Sequence, residues 1–212
     1  MMRQWCVAGA LVLGGGLSAA HADELGDLLK AGPLVRVEQG ENQKFKRVLA
    51  MADVAAPAEL VWEVLNNQEK YPEFMPRLKK LTIKDEAPNV RVLSYVLDTP
   101  FADTTYALRW TANPAEKTVT VKHAGGDLKG SEYDWRIVSL GPETSRIFYG
   151  GVTRNFSSMA TRLEDDQQTI TVGVNVVGVL AAAKAIKGRS ETIHRARKAA
   201  GTPSAATAGA TP

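Results

Sequence analysis

An α+β domain, in which a curved antiparallel sheet of about seven strands wraps a long C-terminal helix, is what the sequence predicts, on three observations. Between Leu78 and Thr153, six stretches alternate apolar and polar residues and are separated by short links rich in Pro, Gly and Asn. Ahead of them, after one earlier strand, the apolar period switches to that of a helix. Behind them, from Asp165, a long stretch runs from acidic through apolar to basic, the charge order that a helix dipole favours. A sheet with one apolar face must be covered, and the long terminal helix is the element available to cover it.

The elements follow in order. Lys44 to Val54 is the first strand, with Phe45, Arg47, Leu49 and Met51 on one side and Val48 and Ala50 on the other. Pro57 suits a first helical turn, where its missing N–H does no harm, and Leu60, Val61, Val64 and Leu65 follow at helical spacing. Asn66 and Asn67 end that helix; a second short one runs from Gln68 to Phe74, and Pro76 stops it. The six strands are Leu78 to Asp85, Val90 to Leu97, Thr104 to Ala112, Thr118 to His123, Leu128 to Leu140 and Ser145 to Thr153. Their short separators imply an antiparallel meander. In the last segment Ile170, Val172, Val174 and Val176 also alternate as a strand would. Its length, the run Ala181-Ala182-Ala183 and the charge order favour the helix.

The ends are read separately. Arg3, an uncharged apolar stretch over residues 5–20 and the small-x-small triplet Ala20-His21-Ala22 predict a signal peptide cleaved after Ala22, and hence a periplasmic or secreted protein. The rival, an uncleaved membrane anchor, is disfavoured because the stretch falls short of roughly 20 apolar residues and is loosened by Gly14, Gly15 and Gly16. Residues 23–42 form a helical or irregular lead-in, residues 43–198 one domain, and residues 199–212, almost all Ala, Gly, Thr, Ser and Pro, a tail expected to be disordered.

Composition excludes several classes. Cys6 is the only cysteine and leaves with the leader, so the mature chain has no disulfide, thiol nucleophile or cysteine-ligated metal. Removing Arg3 from 26 Lys and Arg leaves 25 against 23 Asp and Glu, a net charge of +2 that does not point to nucleic acid. The two mature histidines, His123 and His194, sit in no metal or nucleophile motif, and Asp103, Glu132 and Asp134 are spaced as exposed strand residues. No cofactor, metal or catalytic set is therefore nominated, and the balance leans away from an enzyme.

The segments Val54-Ala-Ala-Pro-Ala-Glu-Leu-Val-Trp62 and Lys70-Tyr-Pro-Glu-Phe-Met-Pro76, in this order of elements, resemble the START-like (SRPBCC) superfamily with its helix-grip fold. Within it the chain looks most like the polyketide cyclase and coenzyme Q-binding protein branch. Leu128-Lys-Gly-Ser-Glu-Tyr-Asp-Trp135 fits that branch's penultimate strand. Many relatives carry a proline just before the terminal helix, whereas the link from Arg154 to Leu163 has none, which leaves the helix start open. The resemblance implies a cavity between sheet and helix that holds a lipid, isoprenoid quinone, sterol or polyketide.

Alternation nominates the residues that would line it. Tyr106, Leu108 and Trp110 share one strand face, and Tyr133, Trp135 and Ile137 another. Tyr and Trp combine large apolar area with one donor each, which suits a ligand with a ring and an oxygen; plain core packing is the alternative. On the terminal helix, Gly173, Val177 and Ala181 are expected to form the opposite wall, with Gly178 also leaving room. In the resembled family the Tyr71–Pro76 segment lies by the cavity, which makes Tyr71, Phe74 and Met75 candidate contacts; its two prolines equally fix a turn.

The helix end carries Lys184, Lys187, Arg189, Arg195, Arg197 and Lys198 against Glu191 alone, +5 over residues 184–198. Contact with an anionic membrane surface is one reading, and the preference of helix C-termini for cations is the other. Three classes stay open for the whole chain: an exported carrier of a hydrophobic small molecule, a cyclase or dehydratase acting on a polyketide-type substrate, and a protein-interaction module with a filled pocket.

Overall fold

A computed structural model describes residues 19–41, 44–98, 103–154 and 168–201. The chain runs α1 (Ala19–Ala31), β1 (Leu34–Gln39), β2 (Phe45–Val54), α2 (Ala58–Asn66), a 3-10 turn (Gln68–Lys70), α3 (Tyr71–Phe74), β3 (Leu78–Ala87), β4 (Val90–Leu97), β5 (Thr104–Asn113), β6 (Thr118–Gly126), β7 (Glu132–Gly141), β8 (Thr144–Val152) and α4 (Gln168–Ala199). The eight strands form one antiparallel sheet in the order β1-β2-β8-β7-β6-β5-β4-β3. After β2 the chain crosses through α2 and α3 to the far edge, then meanders back until β8 pairs with β2. This is the helix-grip architecture expected from the sequence.

Two corrections concern the elements. The lead-in at residues 23–42, expected to be helical or irregular, holds most of α1 but also a strand, β1, so the sheet has eight strands where about seven were expected. β1 is a half-buried edge strand of six residues whose pairing with β2 fixes it, and context of that kind outweighs a weak local pattern. The strand expected from Leu128 starts at Glu132, because Leu128 (φ +63°) and Gly130 (φ +85°) make a turn closed by Ser131 N–H donating to the Leu128 carbonyl at 3.0 Å. The valines from Val172 to Val176 are helical, as the length and charge order of their segment favoured over their alternation. The leader through residue 18, the link at residues 155–167 and the tail from residue 202 lie outside the described residues; α1 runs across Ala22, the expected cleavage position.

Packing follows the two periods. Along β2, Val48, Ala50, Ala52 and Val54 point inward and are buried; α2 buries Ala58, Leu60, Val61, Val64 and Leu65 in the same core, packing on the terminal helix, β7 and β8. The terminal helix α4 packs on β2, β8 and α2 through Asn175, Val179, Ala183, Ile186 and Ser190, a stripe at helical spacing. The buried Asn175 ties the helix to the end of β8: its Oδ1 accepts from Thr153 N–H at 2.6 Å, and its Nδ2 donates to the carbonyls of Thr153 (3.2 Å) and Thr171 (2.9 Å). Because α4 lies over the β2–β8 side of the sheet, a second apolar flank of the helix faces the rest of the concave surface. One helix thus carries two apolar faces, only one of which is packed.

Candidate ligand-binding cavity

Between that second flank and the concave face lies a cavity of about 420 Å³. Its sheet wall comes from alternate residues: Tyr95 and Leu97 on β4, Tyr106, Leu108 and Trp110 on β5, Val121 on β6, Tyr133 and Trp135 on β7, and Tyr149 on β8. The helix wall is Val174, Val177, Gly178, Ala181 and Ala182. Tyr71, Met75, Pro76 and Arg77 close one side.

All five tyrosines of the chain line this one space, and no phenylalanine among the described residues does. Two stacks hold the rings rigid. Tyr95 and Tyr106, register partners across β4 and β5, stack at 5.1 Å and 13°; Trp135 and Tyr149, partners across β7 and β8, stack at 3.8 Å and 15°. Two hydroxyls are used by the scaffold: Tyr71 donates to the Leu65 carbonyl at 2.6 Å, and Tyr133 shares a 2.6 Å hydrogen bond with Thr153 Oγ1. The hydroxyls of Tyr95, Tyr106 and Tyr149 have no hydrogen-bond partner among the described residues and open onto the cavity. Burial pushes the ionisation of all five above the usual phenol range, and for Tyr133 the bonds to Thr153 and Ser131 offset part of that rise. At neutral pH the wall therefore presents neutral phenols, able to donate and accept hydrogen bonds but not to act as bases.

The placement of the nominated residues is specific. Tyr71, Met75, Tyr106, Leu108, Trp110, Tyr133, Trp135, Val177 and Ala181 are brought together in the wall, whereas Phe74, Ile137 and Gly173 are not. Tyr71 and Met75, one helical turn apart, face the cavity; Phe74 instead meets Tyr71 edge-on at 5.6 Å and lies beneath the Arg189 guanidinium at 5.5 Å. Ile137 shares the inward face of β7 but sits further along it, in the packed core. Gly173 is exposed, and Gly178 and Ala182 take the place expected of it. Tyr95, Tyr149, Leu128, Thr153 and Arg77 were not foreseen as lining residues; the first two follow the same alternation as the residues that were.

The remaining polar groups are structural. His123 Nε2 lies 3.2 Å from the Gly126 carbonyl, and His194 Nε2 lies 3.1 Å from Glu143. Asp134 belongs to an ion-pair chain on the other face of the sheet, with Arg47 bridging it (2.9 Å) to Glu38 (2.9 Å). Among the described residues no three potential metal ligands cluster. The basic end of α4 is largely paired: Lys187 with Glu191 of the same helix, and Arg189, Arg197 and Lys198 with Glu73, Glu63 and Glu143 of the body. Lys184 and Arg195 have no acidic partner among the described residues.

A family model described as polyketide cyclase / dehydrase and lipid transport matches residues 54–183. The chain belongs to this family. A structure similar to it is the Zhui aromatase/cyclase from Streptomyces sp. R1128, with a TM-score of 0.62 and 25% identity over 74% of this chain and 99% of that one. The fold is shared with a STAR-related lipid transfer protein from Xanthomonas axonopodis (TM-score 0.58, 14% identity, 75% of this chain and 93% of that one). It is shared also with norcoclaurine synthase from Thalictrum flavum (TM-score 0.52, 16% identity, 76% and 98%). No curated protein matches the sequence. Proteins of this fold thus include an aromatase/cyclase, norcoclaurine synthase and a lipid transfer protein, and the cavity's own chemistry has to separate carriage from catalysis.

Proposed function

We propose that the protein is an exported carrier that holds a hydrophobic, ring-bearing small molecule in the tyrosine-lined cavity without transforming it. The observation that carries this reading is the wall itself: five tyrosines and two tryptophans around about 420 Å³, with three hydroxyls left for a ligand. Stacked rings favour a planar body, and fixed hydroxyls favour a ligand with oxygens. An isoprenoid quinone or a polyketide fits that chemistry better than a saturated acyl chain or a sterol. Export rests on the leader and its cleavage after Ala22; N-terminal sequencing of the protein from fractionated cells tests it, with a start at Asp23 in the envelope fraction as the expected result.

The likeness to an aromatase/cyclase supports a second reading, a cyclase or dehydratase acting on a polyketide-type substrate. It asks for a proton acceptor in the wall, where the titratable groups are the five neutral tyrosines, Arg77 and an Asp98 already paired with Lys79 at 3.1 Å. Carriage needs none. An interaction module with a filled pocket fits poorly with an open cavity. Attraction to an anionic membrane, if present, rests on Lys184 and Arg195, and equal pull-down by neutral and anionic liposomes removes it.

Mass spectrometry of the organic extract from protein purified from its own cell envelope tests the carrier reading. A near-stoichiometric, oxygen-bearing ring compound is expected, and an extract indistinguishable from that of an unrelated envelope protein contradicts it.

A further inference from the structure

Arg77 stands at the mouth of the cavity, on the turn between α3 and β3, and it is the only cation in the described wall. Its backbone is left-handed, at φ +61°, a conformation that glycine or asparagine adopts with less strain. The scaffold imposes that conformation: the Arg77 carbonyl accepts from Asp98 N–H at 2.8 Å, next to the start of the β3–β4 ladder. The fold therefore needs the turn but not an arginine in it, and a strained residue at a cavity mouth is where a functional side chain is sought.

The guanidinium is nearly unused. One long contact, from Nη1 to the Asp98 carbonyl at 3.4 Å, engages it, and among the described residues no carboxylate lies within ion-pair distance. Both neighbouring acids are held elsewhere, since the Lys79 ammonium binds Asp98 at 3.1 Å and Asp103 at 2.7 Å. Most of the donors of a planar fork thus have no partner among the described residues, beside a cavity lined otherwise by neutral phenols, apolar surface, two threonines and an Asp98 already paired with Lys79.

We propose that Arg77 is an anion-recognition residue and that the ligand is a ring-bearing molecule with a terminal carboxylate, its ring among the tyrosines and its charge at the mouth. This deepens the carrier reading above and rests on it. A single guanidinium matches the single charge and the two oxygens of a carboxylate. A phosphate monoester brings nearly two charges, leaving one uncompensated beside Asp98 and Asp103.

The test compares 1-pyrenebutyrate with its methyl ester, two probes that differ in the charge and one methyl group, by fluorescence titration of the full-length protein at pH 7.5. The variants are Arg77→Gly, which relieves the left-handed strain and keeps the fold, and Arg77→Lys, which keeps the charge but not the fork. The expected result is that Arg77→Gly weakens the acid at least tenfold relative to the ester, leaves the ester within about twofold, and melts no lower than the parent. Arg77→Lys falls between the two, and added salt erodes the preference of the parent. An acid-to-ester ratio unchanged in Arg77→Gly overturns the assignment of Arg77 while leaving the carrier reading intact. Failure of the parent protein to bind either probe overturns the carrier reading, and this inference falls with it.

Discussion

Gly178 separates a cavity wall from a packed helix interface. It lies within α4 and lines the cavity, and a Cβ added there meets nothing within 4 Å. Leucine in a helix interior is favoured over glycine by about 0.8 kcal/mol, which for a domain of this size raises the melting temperature by roughly 2 °C. The four added carbons, each filling about the ~30 Å³ share of a water molecule, remove on the order of 100 Å³ from a cavity of about 420 Å³. If the ligand gives up roughly 60 Å² of apolar contact at ~25 cal/mol per Å², its affinity falls about tenfold, or ~1.4 kcal/mol. Gly173→Leu is the matched control, because Gly173 is exposed, outside the wall and equally free of neighbours. Thermal unfolding and titration with 1-pyrenebutyrate methyl ester therefore part company: both variants melt higher, and only Gly178→Leu binds more weakly. A Gly178→Leu protein that binds as the parent does, or that loses stability, refutes the assignment of this helix flank to the cavity.

Two further outcomes follow from the same geometry. The phenols are held neutral above their usual value, so their contribution to stability is fully present below about pH 10 and is lost as pH rises through that value towards the raised native ones. Absorbance at 295 nm is expected to stay flat to beyond pH 10 and then to rise in one step coincident with unfolding, whereas a gradual rise centred near pH 10 in folded protein contradicts the burial. Gly151→Ala puts a methyl group against the Glu132 carbonyl and the Tyr133 ring, and within 2.8 Å of Tyr133 Cα, in a strand where neither neighbour can retreat. A loss of about 1–3 kcal/mol is expected, read as a lowered denaturation midpoint, together with weaker binding because Tyr133 is displaced from the wall.

The meander was readable because its turns carry Pro, Gly and Asn and its strands alternate, so face and order follow locally. The strand face that sequence nominates is a direction and not a depth: Tyr133, Trp135 and Ile137 all point inward, yet only the first two reach the cavity, because Ile137 lies in the core where α2 packs on β7. The rotation of α4 was less legible still. Gly173 and Gly178 lie on different sides of a helix, and the residue that fixes its rotation is a buried polar one, Asn175, held by backbone groups of Thr153. Nothing local signals that. The basic helix end looked free for the same reason, since its partners Glu63, Glu73 and Glu143 come from elements far away in sequence. Tyr95 is the one aromatic of its strand and Tyr149 adjoins Phe148 in its own, and their role emerges only once register pairs them with Tyr106 and Trp135.

The convergence of every tyrosine on one ligand-holding cavity is tested most directly by NMR of protein labelled with ¹³C at the tyrosine ring ε positions and titrated with 1-pyrenebutyrate methyl ester. Five ring signals are expected, all shifting along one saturable curve, with Tyr95, Tyr106 and Tyr149 moving most because their hydroxyls are free. Saturable binding that leaves the tyrosine signals where they were would place the ligand elsewhere and contradict the account.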